Sequence, residues 1–202
     1  MAHKPRSEMI AETRGKLVAA ARRAFGTVGY ADASMDDFTA EAGLTRGALY
    51  HHFGGKKGLL EAVIAEIDAE MSVRLGEVSA RARDPWQGFA DECIAYIEMA
   101  LEHEIQRIML RDGPAVLGDP SAWPNQNACI RSLTASLQRF VDDGTLPSND
   151  AEAMARLLNG AMLSASLWIA NAPDPAATTK RAVRAFKLLL KSLRGEKRAS
   201  GK

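Results

Sequence analysis

The sequence predicts an all-α protein of about nine helices, a small three-helix head holding a helix-turn-helix and a larger helical body. Three observations predict it. Apolar residues recur at spacings of three and four along nearly every segment, with no strand-like alternation and no internal repeat. Helix start and stop residues, among them Ser34, Thr45, Asp84-Pro85 and Gly43, fall between those segments. Finally, the stretch from Ser34 to Lys56 reads as two short helices around a tight turn, followed by the start of a longer one.

Residues 1–6 form a basic arm with His3, Lys4 and Arg6, able to reach phosphates or a minor groove and equally able to be disordered. The first helix is expected from about Ser7 to Val28, with Ile10, Leu17, Ala21, Phe25 and Val28 on one stripe; Gly29 stops it. Ser34 is an N-cap, and Asp37 three residues on makes a shortened capping box. Phe38 and Ala42 share a face, and Gly43 ends this second helix as a C′ glycine. Thr45 caps the third helix, with Leu44 and Leu49 placed as a hydrophobic staple. That leaves Arg46, Gly47, Tyr50 and His51 on its other faces, while His52 packs beside Phe53.

The fourth helix is expected from about Gly55 to Ala82, with Leu59, Leu60, Val63, Ile64, Ile67, Met71 and Leu75 in helical register. Asp84-Pro85 restarts the chain as N-cap and N1, opening a fifth helix that carries Trp86, Phe89, Cys93, Ile97 and Leu101. A short sixth helix covers about Glu104 to Arg111; Asp112 to Asn125, with its glycines, prolines and Trp123, reads as a loop. The seventh runs from about Gln126 to Asp142. The eighth, about Asp150 to Ala170, is apolar nearly all round, and the ninth runs from about Pro175 to Leu193 with a basic face.

The chain has 202 residues, 47% of them hydrophobic, and a net charge of +1. The charge is segregated: residues 1–60 carry +3, residues 61–179 carry −10 and residues 180–202 carry +8. A mildly basic head on an acidic body suits a protein that presents one end to nucleic acid. No run of eighteen apolar residues predicts a membrane span, and no apolar N-terminal stretch predicts a secretory signal. The two cysteines, Cys93 and Cys129, are then expected as reduced thiols in a cytoplasmic protein.

In a helix-turn-helix, the second helix enters a DNA major groove by its N-terminal residues. An Arg in the first turn can pair bidentately with a guanine edge. Gly47 would let the backbone approach DNA closely, at a cost of about 1 kcal/mol in helix propensity. Tyr50, His51 and Lys56 can donate to phosphates. The candidate DNA contacts are therefore Ser34, Thr45, Arg46, Gly47, Tyr50, His51 and Lys56.

From Arg14 to Leu60 the chain resembles the DNA-binding domain of TetR-type bacterial transcriptional regulators. The matching residues are Ala20, Phe25, Gly29, Tyr30, Ser34-Met35-Asp36-Asp37, Ala42-Gly43-Leu44-Thr45, Gly47, Leu49-Tyr50, His52-Phe53, Lys56 and Leu59. Phe38-Thr39, Gly55 and Lys57 depart from the family pattern, and Gly55 should leave the fourth helix less well capped. The rest of the chain matches only in helix count and length. The resemblance implies a head over residues 1–54 and an effector-binding, dimerising body over 55–202. It also implies that the fourth helix transmits an effector signal; a plain rigid linker predicts the same pattern.

Trp86, Phe89, Cys93, Tyr96, Met109, Trp123 and Met162 could line a pocket for an apolar effector, and the same residues also make an ordinary core. An eighth helix apolar on every side cannot be covered by its own chain alone. Helices eight and nine are therefore expected to pair with a second copy through Leu158, Ala161, Met162, Ala165, Trp168, Val183, Phe186 and Leu190. Glu98, Glu102 and His103 could hold a metal but read better as a solvated face. No Gly-rich phosphate loop, nucleophile elbow or zinc-protease motif occurs, so neither catalysis nor a cofactor is expected. The expectation is a homodimeric, effector-responsive regulator of a double-stranded operator, a repressor with no membrane partner. The alternative is a helical ligand-binding or enzymatic body that kept a helix-turn-helix head.

Overall fold

The computed structural model describes residues 5–194; His3 and Lys4 of the arm and the tail beyond Arg194 lie outside the described residues. Arg6 is already the first residue of a helix. Among the described residues all regular structure is helical: α1 Arg6–Thr27, α2 Met35–Glu41, α3 Arg46–Phe53, α4 Lys56–Ala80, α5 Pro85–Met99, a π-helix Ile105–Asp112, α6 Gly113–Leu117, a 3₁₀ turn Pro120–Ala122, α7 Pro124–Asp142, α8 Ala151–Ala170 and α9 Pro175–Leu193.

The chain divides into two compact units. The first gathers the residues up to Ala69 with His103–Gly118; the second holds Glu70–Glu102 and the chain from Asp119 onward. In the first unit, Leu17, Ala20, Ala21 and Phe25 of α1 close over Phe38, Leu49, Leu59, Leu60 and Val63, all essentially sealed from solvent. Phe25 meets Phe38 edge to face at 6.0 Å and Tyr30 at 5.5 Å. Ile10 and Val28, expected on the α1 stripe, are exposed. The reason is length: α1 has 22 residues and α2 only 7, about 33 Å against about 10 Å, so the short helices cannot cover it all.

The short helix expected from about Glu104 to Arg111 is present, but it continues to Leu117 into the segment expected as a loop. The π-helix Ile105–Asp112 passes directly into α6, whose first turn holds Gly113 and Pro114. Pro114 falls just after the last π-helical bond, Gly113 N–H to Ile108 O, so the hydrogen bond it cannot donate is forgone at the junction where the winding changes. Leu101, expected at the end of the fifth helix, lies beyond it and is exposed.

In the second unit, α5 packs on α8 and α9, α7 packs on α8, and α8 packs on α9. Here α5, α8 and α9 are each capped by the Asp before them: Asp84 accepts from Gln87 N at 2.9 Å, Asp150 from Ala153 N at 3.0 Å, and Asp174 from Ala177 N at 2.9 Å. Of all described helices only α8 is long and apolar enough to cross a membrane, a property that core helices share. Its buried side faces α5, α7 and α9. Leu158 and Met162 lie on that side, and Val183, Phe186 and Leu190 of α9 are buried too. These five of the residues expected between subunits are therefore packed inside the protomer. What remains outward is a stripe on α8 of Leu157, Ala161, Ser164, Ala165 and Trp168, with Ala185, Leu188 and Leu189 on α9. Leu157 and Leu188 are 69% and 65% exposed. Ala161, Ala165, Trp168, Phe186 and Leu189 border an apolar cleft of about 400 Å³ between the two helices.

Candidate nucleic-acid interface

The helix-turn-helix is set by its caps. Ser34 Oγ accepts from Asp37 N at 3.4 Å and opens α2. Gly43, at φ +66°, reverses the chain, and Leu44 N donates to Thr39 O at 2.8 Å. An L side chain is disfavoured in that left-handed conformation, which is why the turn falls on a glycine. Thr45 Oγ1 then accepts from Ala48 N at 3.2 Å and opens α3.

Leu49 fixes the rotation of α3: it is fully buried, with Ala48 half-buried beside it. Arg46, Gly47, Tyr50 and His51 are consequently exposed, Tyr50 by 54%. A Cβ added at Gly47 would meet nothing closer than Thr45 Oγ1 at 3.6 Å, so the protein's own packing does not require glycine there. The far end of α3 is tied to α1: Arg14 Nη1 donates to His52 O at 2.8 Å while its guanidinium lies 4.5 Å from the Phe53 ring centre. His52 does stand next to Phe53, their rings 6.3 Å apart.

Both cationic candidates, Arg46 and Lys56, have partners inside the protein. Arg46 Nε forms an ion pair with Asp36 Oδ1 of α2 at 2.6 Å. Lys56 Nζ donates to Ala31 O at 3.2 Å and lies 4.6 Å over the Tyr30 ring. Burial lowers the Lys56 pKa, with Asp32 and Asp112 pulling it back up. Ser34 and Thr45 spend their hydroxyls on the backbone as caps.

Behind this face the π-helix closes on α1. Arg22 holds Glu104 with two hydrogen bonds, 2.7 and 2.8 Å, and Glu66 with a third at 2.9 Å. Arg107 Nη2 donates to Val28 O at 2.7 Å, and Tyr30 N donates to Asp112 Oδ2 at 2.7 Å. The sequence reading missed these residues, because their partners lie 44 to 82 positions away.

The effector candidates are distributed differently. Met109 sits on the π-helix in the first unit, whereas the other six belong to the second. Trp86 and Phe89 form a three-ring cluster with Phe140, centroids 5.3 to 5.7 Å apart, which is packed core. Cys93 and Met162 are buried, and burial drives the Cys93 thiol far above its ordinary pKa. Tyr96 is half-buried. Trp123 Nε1 is buried with no acceptor, and one turn on, Gln126 Oε1 accepts from Asn159 Nδ2 at 2.9 Å between two buried side chains. Gln126 and Asn159 were not among the sequence candidates. Among the described residues no group of three acidic, His or Cys side chains could hold a metal; Glu102 pairs with Arg74.

A capped α2, a glycine turn and a capped α3 standing outward on one buried leucine define a helix-turn-helix DNA-binding protein. The family model for bacterial regulatory proteins of the tetR family matches residues 17–63, and that for the tetracyclin repressor-like C-terminal domain matches residues 86–193. The chain belongs to the TetR family of bacterial transcriptional regulators. It is similar to a TetR-family regulator of Pectobacterium atrosepticum of known crystal structure, 49% identical over 96% of this chain and 99% of that one, with a TM-score of 0.87. It is 46% identical to the regulator SrpR of Pseudomonas putida over 54 residues, 27% of this chain and only 25% of SrpR. The Tn10 TetC protein of Escherichia coli is 23% identical over 93% of this chain and 95% of its own length.

Proposed function

We propose that this protein is a homodimeric, effector-responsive transcriptional regulator, a repressor released from a double-stranded operator by a small, largely apolar molecule, acting in the cytoplasm and catalysing no reaction. The observation that carries this reading is the rotation of α3. Leu49 is buried, and Arg46, Gly47, Tyr50 and His51 are left facing out.

In this reading residues 1–54 are the DNA head and 55–202 the effector and dimer body. Arg46 reads a base edge, Gly47 lets the backbone close on DNA, and Tyr50 and His51 donate to phosphates. Lys56 does the same with the two ammonium hydrogens that Ala31 O leaves free. Ser34 and Thr45 place the first-turn N–H groups of α2 and α3 toward the backbone of the duplex. The outward stripes of α8 and α9 pair with those of a second copy, with Ala161 and Ala165 allowing close approach. Two copies of α3 then fall in successive major grooves, roughly 34 Å or a multiple apart.

Release follows from population shift: the operator and the effector favour different separations of the two heads. The chain leaving α5 and leading to α7 passes through the π-helix, which is latched to α1 by Arg22, Arg107 and Asp112. A change in α5 or α7 on effector binding thereby reaches the head by covalent continuity.

In vitro selection from random duplexes followed by titration tests the reading. A two-fold symmetric site should emerge, with affinity falling steeply as salt rises. Recovery of no preferred sequence would refute it.

A further inference from the structure

The pairing of Arg46 with Asp36 places a carboxylate on the face that the reading above turns toward DNA. An acid there repels phosphates, and the pair is too exposed to stabilise the fold appreciably: the two side chains are 57% and 67% exposed. We infer that Asp36 is the positioning residue for base readout, holding Arg46 in one pose for a guanine and removing its charge from sequence-independent attraction. This rests on the DNA-binding reading.

The geometry supports it in three ways. Both backbones are fixed locally, since Ser34 caps α2 two residues before Asp36 and Thr45 caps α3 immediately before Arg46. The contact is made through Nε at 2.6 Å. That leaves the outer edge of the guanidinium, with its two parallel Nη donors, for the N7 and O6 acceptors of guanine. An unrestrained arginine in a first turn would instead swing freely among neighbouring phosphates. Finally, the paired guanidinium and carboxylate sum to no net charge, so Arg46 adds little to binding of an arbitrary duplex. Specificity then gains from both sides, by better contact with the right base and weaker attraction to every wrong one.

The test compares wild type with Asp36→Asn and Asp36→Glu, using the selected duplex, the same duplex with the contacted guanine changed to adenine, and an unrelated duplex. In wild type the guanine change should cost about 5- to 150-fold, the span of a bidentate arginine contact. With Asp36→Asn that ratio should fall about 10-fold or collapse to unity, while affinity for the unrelated duplex rises. The plot of log affinity against log salt should steepen by about 1, for one more effective cation. Asp36→Glu, which keeps the charge, should restore the salt slope and part of the discrimination. Equal loss of affinity on all three duplexes, or a salt slope unchanged in Asp36→Asn, would overturn the proposal while leaving DNA binding intact. If wild type itself fails to distinguish any duplex, the DNA-binding reading falls first and the proposal with it.

Discussion

Tyr30 and Asp112, eighty-two positions apart, are joined by one hydrogen bond: the Tyr30 backbone N–H donates to Asp112 Oδ2 at 2.7 Å. Arg107, on the same π-helix, donates to the Val28 carbonyl two residues before Tyr30. The π-helix thus supplies hydrogen-bond partners at the C-terminal end of α1. Gly29 lies between these anchors at φ +88°, and a Cβ there would lie 2.1 Å from Arg107 Nη2. Asp112→Ala strands a part-buried N–H and should cost about 1–3 kcal/mol. Urea unfolding followed by circular dichroism checks this; a midpoint equal to wild type would show that water replaces the carboxylate without loss.

Two glycines should respond oppositely to alanine. At Gly47 a Cβ meets only Thr45 Oγ1, in ordinary van der Waals contact at 3.6 Å, so Gly47→Ala should stabilise the fold by up to about 1 kcal/mol through helix propensity, yet weaken operator binding. At Gly58 a Cβ would fall 1.9 Å from the Phe53 carbonyl oxygen. Gly58→Ala therefore forces the α3–α4 junction apart and should cost about 1–3 kcal/mol. Paired melting and titration curves for both variants check the contrast.

Glu92 gives a pH signature. Burial raises its carboxyl above the ordinary 4.5, and a hydrogen bond from Ser79 only partly offsets this. Between pH 4.5 and the raised folded value, the folded state binds more proton at this site than the unfolded chain does. Stability contributed by the protonated form falls as pH rises from about 4.5 through the raised folded value, and at pH 7 the buried charge is a net cost. Glu92→Gln should raise the urea midpoint at pH 7 and remove that decline. A decline of unchanged size in the variant would assign it to other groups.

The two sides of α8 should separate assembly from folding. Leu157, outward, and Leu158, inward, are adjacent in sequence, with exposures of 69% and 1%. Leu157→Glu should yield a folded monomer in sedimentation and weaken operator binding. Leu158→Glu buries an unpaired charge and should abolish folding. A Leu157→Glu protein that remains dimeric would place the subunit contact elsewhere.

Elements whose cause is local could be read from sequence. Ser34, Thr45 and Asp84 cap helices where the chain suggested, and Gly43 turns between α2 and α3. The outward set on α3 was legible because one leucine fixes the rotation of so short a helix. The helix after Glu104 was legible, but its continuation across Gly113-Pro114 was not: Glu104, Arg107 and Asp112 bond to α1 and the turn after it, and nothing in local propensity announces it. The face of α8 that stays uncovered was also hidden, because apolar residues on both sides look alike until α5 and α7 are placed. Trp86 and Phe89 read from sequence as either pocket lining or core, and the choice could not be made until the Phe140 ring was placed against both.

The most direct measurement is the operator affinity of the double variant Arg46→Ala/Tyr50→Ala, with its melting curve recorded alongside. Both side chains are exposed, so the fold should hold, while affinity for the selected duplex should drop by on the order of 100-fold. A folded double variant that binds that duplex as tightly as wild type would contradict the assignment of α3 as the helix that reads DNA.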